Sequence, residues 1–205
     1  MSVFKSLVAV SPFVLFSCGG GSGGGSDAVA DQVLNDIADP AFNLPAPDLS
    51  GVSSVSGVAT GVVSAEVVAR VTTEITQGIN DARVDRGLTA LTYDENLADI
   101  ALDHCEYLAS QAPENAVPIQ ISHDNFETRA EQVFTNGYIF VGENVAGQRS
   151  YPEDQITSIF VDGWLNSPGH LENIETAGFT HTGVGVLVDE RDGTIYATQI
   201  FGESP

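Results

Sequence analysis

The chain has 205 residues, 28 of them acidic against seven basic, for a formal charge of −21 at neutral pH. A surface so acidic repels phosphate backbones and anionic headgroups, which excludes nucleic acid as a partner and electrostatic docking on a membrane. Lys5 is the single lysine, and an acidic exterior of this kind suits salty surroundings, where repulsion is screened within about 10 Å.

Lys5 precedes an apolar run from Leu7 to Phe16 that closes as Leu15-Phe16-Ser17-Cys18. The run has the length of an export signal and falls short of the roughly twenty residues with which a helix crosses a bilayer. Its ending resembles the bacterial lipoprotein cleavage box, which makes residues 1–17 a signal peptide and Cys18 the site of lipid attachment. Several acyl chains, at about 0.8 kcal/mol per buried methylene, hold a protein durably on a membrane. The expected location is the bacterial cell envelope, lipid-anchored to a membrane facing the periplasm or the extracellular space. From Gly19 to Ser26 the sequence is Gly-Gly-Gly-Ser twice over, and residues 18–63 read as a largely disordered tether and spacer. Val29, Val33 and Ile37 allow one short amphipathic helix there before Pro40.

Residues 64–205 have the size of one ordinary domain. Ser64 caps a helix whose apolar face is Val68, Val71, Ile75, Ile79 and Ala82, ended by Gly87. Thr92 and Glu95 read as a capping box for a second helix bearing Leu97, Ile100, Ala101, His104 and Leu108 on one side. His104 and Cys105 are expected as core residues, the thiol lying between the acids Asp103 and Glu106. A shorter helix is expected over 124–136, stopped by Gly137. Ser150 with Glu153 reads as a further capping box, for a helix ending near Trp164, and Ser167-Pro168 starts a brief fifth helix. Strands come late: 138–145 is extended, and 183–188 pairs with 194–201 across Asp192-Gly193 as a hairpin. Helices on both sides of a small, mainly antiparallel sheet make this an α+β chain.

Several motifs recur together: Gly142-Glu143-Asn144, then Trp164-Leu165-Asn166-Ser167-Pro168-Gly169-His170, then Thr180-His181-Thr182-Gly183-Val184-Gly185-Val186. Ser122-His123 precedes them, Tyr196-Ala197-Thr198-Gln199-Ile200-Phe201-Gly202 follows, and Asn80-Asp81-Ala82-Arg83 with Leu88 and Leu91 opens the series. Together they resemble the CAP superfamily, the SCP-like extracellular domains of the cysteine-rich secretory proteins, in its bacterial form. The resemblance spans roughly Glu66 to Glu203 and implies a three-layer α-β-α sandwich. Eukaryotic relatives gather two histidines and two glutamates in a cleft, and matching motif to motif places His123, Glu143 and His170 in it. The fourth position, three residues after the tryptophan, is Ser167 here; Glu172 lies about 200° around a helix from His170.

Two imidazoles and a carboxylate suit zinc or another divalent cation, with a fourth position left for water or substrate. Without metal the same groups could act as acid and base, or simply as a hydrogen-bonded cluster that holds the cleft together. Three functions stand side by side: a module that binds a small or extended ligand (lipid, cell-envelope component or divalent cation), a metal-dependent hydrolase, or a structural or adhesive surface module. The balance leans away from an enzyme. Outside the Gly/Ser tether the sequence lacks a Gly-x-Ser-x-Gly elbow, and Ser167, three residues before His170, reads as a helix cap. His181 is expected at a strand edge and Trp164 in the core, and Gly183 and Gly185 are read as permitting close packing.

Overall fold

The computed structural model describes residues 13–15, 64–149 and 151–205. Cys18, the tether with its Val29–Ile37 segment, and the expected leader apart from 13–15 lie outside the described residues.

Ser64 opens helix α1, Ala65–Asp85, and its hydroxyl accepts the amide of Val67 at 3.3 Å. Val71, Ile75, Ile79 and Ala82 form its buried stripe, and the helix stops where Gly87 takes a φ of 77° and the Leu88 amide returns to the Arg83 carbonyl. Helix α2, Glu95–Gln111, is capped by Asp94, not by the expected Thr92: Asp94 Oδ1 accepts the amides of Asn96 and Leu97 at 2.8 and 3.1 Å. Thr92 is drawn into strand β2, Thr92–Tyr93, which had no signal in the sequence. Helix α3, Phe126–Thr135, follows Asn125 in a left-handed turn, and strand β3 covers Phe140–Gln148. Of the second expected capping box, only Glu153 is among the described residues. Glu153 begins a 3₁₀ turn, Glu153–Gln155, and pairs with Arg70 at 2.9 Å; helix α4, Ile156–Asn166, follows with no side-chain cap, and Ser150 lies outside the described residues. Helix α5, Pro168–Glu175, has proline in its first turn. Strands β4, His181–Asp189, and β5, Thr194–Glu203, form the hairpin, with Gly193 at φ 74° donating its amide to Asp189 at 2.8 Å.

Strand β5 is central, antiparallel to β3 on one side and to β4 on the other, and β2 runs parallel to β4 at one edge. A short strand β1, Phe13–Leu15, lies parallel to Phe140–Gly142 at the opposite edge, inside the segment read as leader. The sheet is mainly antiparallel and sandwiched as expected. Helices α1, α4 and α5 enclose one core, with Ile75, Ile79, Phe160, Trp164, Phe179 and Phe201 in it, and α2 with α3 encloses the other around Leu97, Phe126, Val133 and Ile200. Helix α2 lies against the backbone of β4 itself: a Cβ on Gly183 would strike the backbone of Ala98, and one on Gly185 that of Leu102.

Arg83 is fully buried, and its guanidinium donates only to carbonyls: Thr89 at 3.0 Å, Ile174 at 2.6 Å, Thr176 at 3.0 Å and Phe179 at 3.3 Å. Two of these belong to the end of α5, where orphan carbonyls and the helix dipole both favour a cation. The Asn80–Arg83 motif thereby fixes α5, which carries His170, against α1.

Candidate functional site

Successive residues of β3 point to opposite faces of the sheet. Glu143 turns toward α2 and α3, while Asn144 turns toward α5, as their partners show. The site is therefore built from both sides of one strand.

On the α2/α3 side, the buried Glu143 carboxylate is gripped by Arg129 of α3, Nε to Oε2 at 2.6 Å and Nη2 to Oε1 at 2.7 Å. Such a two-pronged, charge-assisted pair is among the strongest of side-chain contacts. The third guanidinium nitrogen, Nη1, donates to the Asp124 carbonyl at 2.6 Å. Arg129 reaches the carboxylate because it lies on the buried face of α3 with Phe126, Ala130 and Val133. His123, from the loop before α3, meets Oε1 through Nδ1 at 2.7 Å. His104, on the buried face of α2, lies 2.8 Å through Nε2 from the Ser122 carbonyl and 4.0 Å from Oε1.

Two tautomers follow from the acceptors. A carbonyl oxygen only accepts, so His104 carries its proton on Nε2, and its buried Nδ1 finds no hydrogen-bond partner among the described residues. Burial pushes the His104 pKa down against the pull of Glu143, which keeps the ring neutral. For Glu143, burial alone pushes upward, but hydrogen bonds from His123 and Arg129 and their charges outweigh it and bring the carboxyl down from 4.5 to about 2. The carboxylate is ionised, so His123 donates from Nδ1. Its side chain is 15% exposed against 8% for Arg129 and 1% for Glu143, so the cluster meets solvent at His123.

This donor set, as arranged, does not fit a divalent cation. Oε1 already accepts from His123 and Arg129, Oε2 accepts from Arg129, and a metal would have to displace the guanidinium and face its charge. Among the described residues no group of three or more His, Cys, Asp or Glu stands ready to hold a metal ion.

On the other side of the strand, α5 brings in His170. Its Nδ1 lies 2.8 Å from Ser167 Oγ, and both residues are buried. Ser167 precedes the helix and its carbonyl accepts the Leu171 amide at 2.9 Å, but its hydroxyl turns to His170 and makes no cap bond, contrary to the capping role read from sequence. The His170 carbonyl accepts Asn144 Nδ2 at 3.3 Å, and Asn173 Nδ2 donates to the Glu143 carbonyl at 3.0 Å and to Asn144 Oδ1 at 2.9 Å. Thus His123 and Glu143 touch directly, and His170 joins the same strand through Asn144. Glu172 is exposed.

The remaining residues follow their sequence readings. Trp164 is fully buried, His181 begins β4 with its ring edge-on to Tyr138 at 5.4 Å, and Cys105 is buried against Thr198 Oγ1 at 3.3 Å. Burial pushes the Cys105 thiol up to about 12, so it offers no thiolate. The residue that sequence reasoning missed is Arg129. Its signal was present: an arginine spaced with Phe126, Ala130 and Val133 on one helix face demands a buried acceptor.

A family model described as the cysteine-rich secretory protein family, CAP, matches residues 76–201. The uncharacterized protein YkwD of Bacillus subtilis is 30% identical over 130 residues, which cover 60% of this chain and 44% of that protein. The uncharacterized membrane protein YlbC of the same organism is 32% identical over 109 residues, 52% of this chain and 29% of that one. The chain spans less than half the length of these curated relatives. Among solved structures, a cysteine-rich secretory protein from Staphylococcus aureus superposes with TM-score 0.53 at 20% identity, covering 69% of this chain and 40% of that one. An extracellular protein containing an SCP domain from Bacillus anthracis gives 0.52 at 24%, covering 70% and 45%. An outer surface protein of Borrelia burgdorferi gives 0.53 at 20%, covering 66% and 94%. At such identities the likeness speaks for the fold.

Proposed function

From a chain that belongs to the CAP family of cysteine-rich secretory proteins, we infer an exported binding module that takes a polar component of the cell envelope at the rim around His123. The observation that carries this reading is the grip of Arg129 and His123 on one buried carboxylate, with the imidazole the most exposed of the three side chains. A ring held by a buried anion loses little freedom on contact with a ligand, and such preorganisation is what makes a small polar site effective. The group this rim offers is an imidazole backed by a buried ion pair, which suits amide, hydroxyl and amino groups better than acyl chains. Attachment through Cys18, supported by the Leu15-Phe16-Ser17-Cys18 box, keeps the domain near such a component, and among the described residues no helix is long and apolar enough to cross a membrane.

The test is a binding series with soluble peptidoglycan fragments and, separately, neutral phospholipid vesicles, using the wild type, His123→Ala and Glu143→Gln. Saturable binding of the fragments that both substitutions weaken at least tenfold supports the reading. Binding to vesicles alone would redirect it to lipid, and capture unaffected by either substitution would move recognition to the acidic exterior. For the anchor, Cys18→Ala should release the protein from the membrane fraction, and retention there would refute lipidation.

One observation favours a second reading. A carboxylate 2.7 Å from an imidazole is half of an acid–base apparatus, so a hydrolase that activates water through His123 is the alternative. It requires turnover of ester, peptide or cell-wall substrates that disappears in Glu143→Gln.

A further inference from the structure

We propose that Arg129 takes the place of a divalent cation in the Glu143 cluster, bridging strand and loop and barring metal from the carboxylate, so that its removal opens a latent metal site. A metal between His123 and Glu143 would do two things: neutralise a buried carboxylate, and tie the loop that bears the histidine to strand β3. The guanidinium does both. Nε and Nη2 take the two oxygens of Glu143 at 2.6 and 2.7 Å, and Nη1 takes the carbonyl of Asp124, the residue after His123, at 2.6 Å.

The cluster is buried, unlike a surface ion pair. Within reach of the same carboxylate lie His123 Nδ1 at 2.7 Å and His104 Nε2 at 4.0 Å, and the three side chains are at most 15% exposed. Imidazole nitrogens beside a carboxylate oxygen are donors that zinc accepts. The nitrogens that face Glu143 carry protons, His123 donating from Nδ1 and His104 turning its Nε2 proton to Ser122, so a metal that entered would have to displace the His123 proton as well as the guanidinium. No group of three or more His, Cys, Asp or Glu stands ready for a metal ion among the described residues, and a positive charge is already seated on Glu143. Arginine is suited to that place because it stays charged when buried and its planar fork matches a carboxylate, whereas a compact ammonium does neither so well. Helix α3 supplies it as part of its buried face, so the substitute cation is built into the packing of the domain.

The inference concerns the cluster alone and holds whether or not the rim of His123 binds an envelope component. The test uses the full chain and zinc as the only ligand, with thermal shift and calorimetric titration as readouts. Wild type and Glu143→Gln should respond to zinc identically, any background coming from other histidines. Arg129→Ala should gain a saturable site at least tenfold tighter than that background, and Arg129→Ala with Glu143→Gln should lose the gain. Arg129→Lys, which keeps a cation beside the carboxylate, should not gain the site. If Arg129→Ala does not fold alone, zinc added during refolding should recover it, and failure to recover would overturn the proposal. Zinc binding in the wild type that Glu143→Gln abolishes would overturn it, as would an Arg129→Ala protein that folds and gains nothing.

Discussion

Replacing Glu143 by glutamine should make the domain less stable by an amount that depends on pH in a defined direction. The folded-state carboxyl sits at about 2 against an ordinary 4.5, and the difference corresponds to about 3 kcal/mol favouring the fold at neutral pH. Because the folded value is the lower one, this contribution is complete well above 4.5 and drains away as pH falls toward the folded value. By linkage less than half of it remains at pH 3. Glutamine also leaves Arg129 buried without its counter-charge, which places the neutral-pH cost in the range of about 3–5 kcal/mol. Urea unfolding of wild type and Glu143→Gln at pH 7, 5 and 3 measures both effects, and the titration of the other carboxylates is common to the two proteins and cancels in the difference. The expected result is a gap that narrows by about 2 kcal/mol between pH 5 and pH 3. A gap constant to within about 0.5 kcal/mol would show that Glu143 is not an ionised, Arg129-bound carboxylate in the fold.

Arg83→Ala would remove hydrogen bonds from four carbonyls, two of them the buried ones of Ile174 and Phe179, and leave a cavity beneath α5, and should lower stability by about 3 kcal/mol in chemical unfolding. A loss under about 1 kcal/mol would mean that water or neighbouring groups serve those carbonyls equally well. Gly185→Ala forces α2 away from β4 and should cost about 1–3 kcal/mol or more, read as a lower melting temperature, whereas an unchanged melt would contradict the close contact of helix and strand. With a formal charge of −21, the melting temperature should rise as salt increases from about 0.05 to 0.5 M, where the screening length drops below about 10 Å, and indifference to salt would refute self-repulsion as a cost of the acidic surface.

The sequence displayed the layers of the fold through periodicity. Val71, Ile75, Ile79 and Ala82 along α1, and the alternation through Val184 and Val186 in β4, each required a buried face, and the two faces meet in one core on the α1 side of the sheet. Helix starts were less legible, because Thr92, Asp94 and Ser167 could all accept an amide and only tertiary contacts choose among them. Thr92 went to a strand and Ser167 to His170, leaving Asp94 as the cap. The two-residue β2 carries too short a pattern to be seen before its pairing with His181 and Thr182 is known.

In the site, His123 and Glu143 were legible through motifs, but their partner Arg129 was not, because the metal, acid–base and hydrogen-bonded readings all left the counter-charge of Glu143 without an owner. His104 shows the reverse: it was read as a core histidine, and it is one, yet its ring stands 4.0 Å from the carboxylate at the centre of the cluster. Spacing along the chain says nothing about which side of β3 a neighbour approaches.

The orientation of two histidine rings tests the account most directly. Long-range proton–nitrogen correlation spectra of the isotope-labelled protein at neutral pH report which ring nitrogen carries hydrogen. For His104 the proton should be on Nε2 alone, and for His123 Nδ1 should be protonated in the wild type. A His123 ring with a bare Nδ1 would contradict the contact with an ionised Glu143, and with it the site built around that carboxylate.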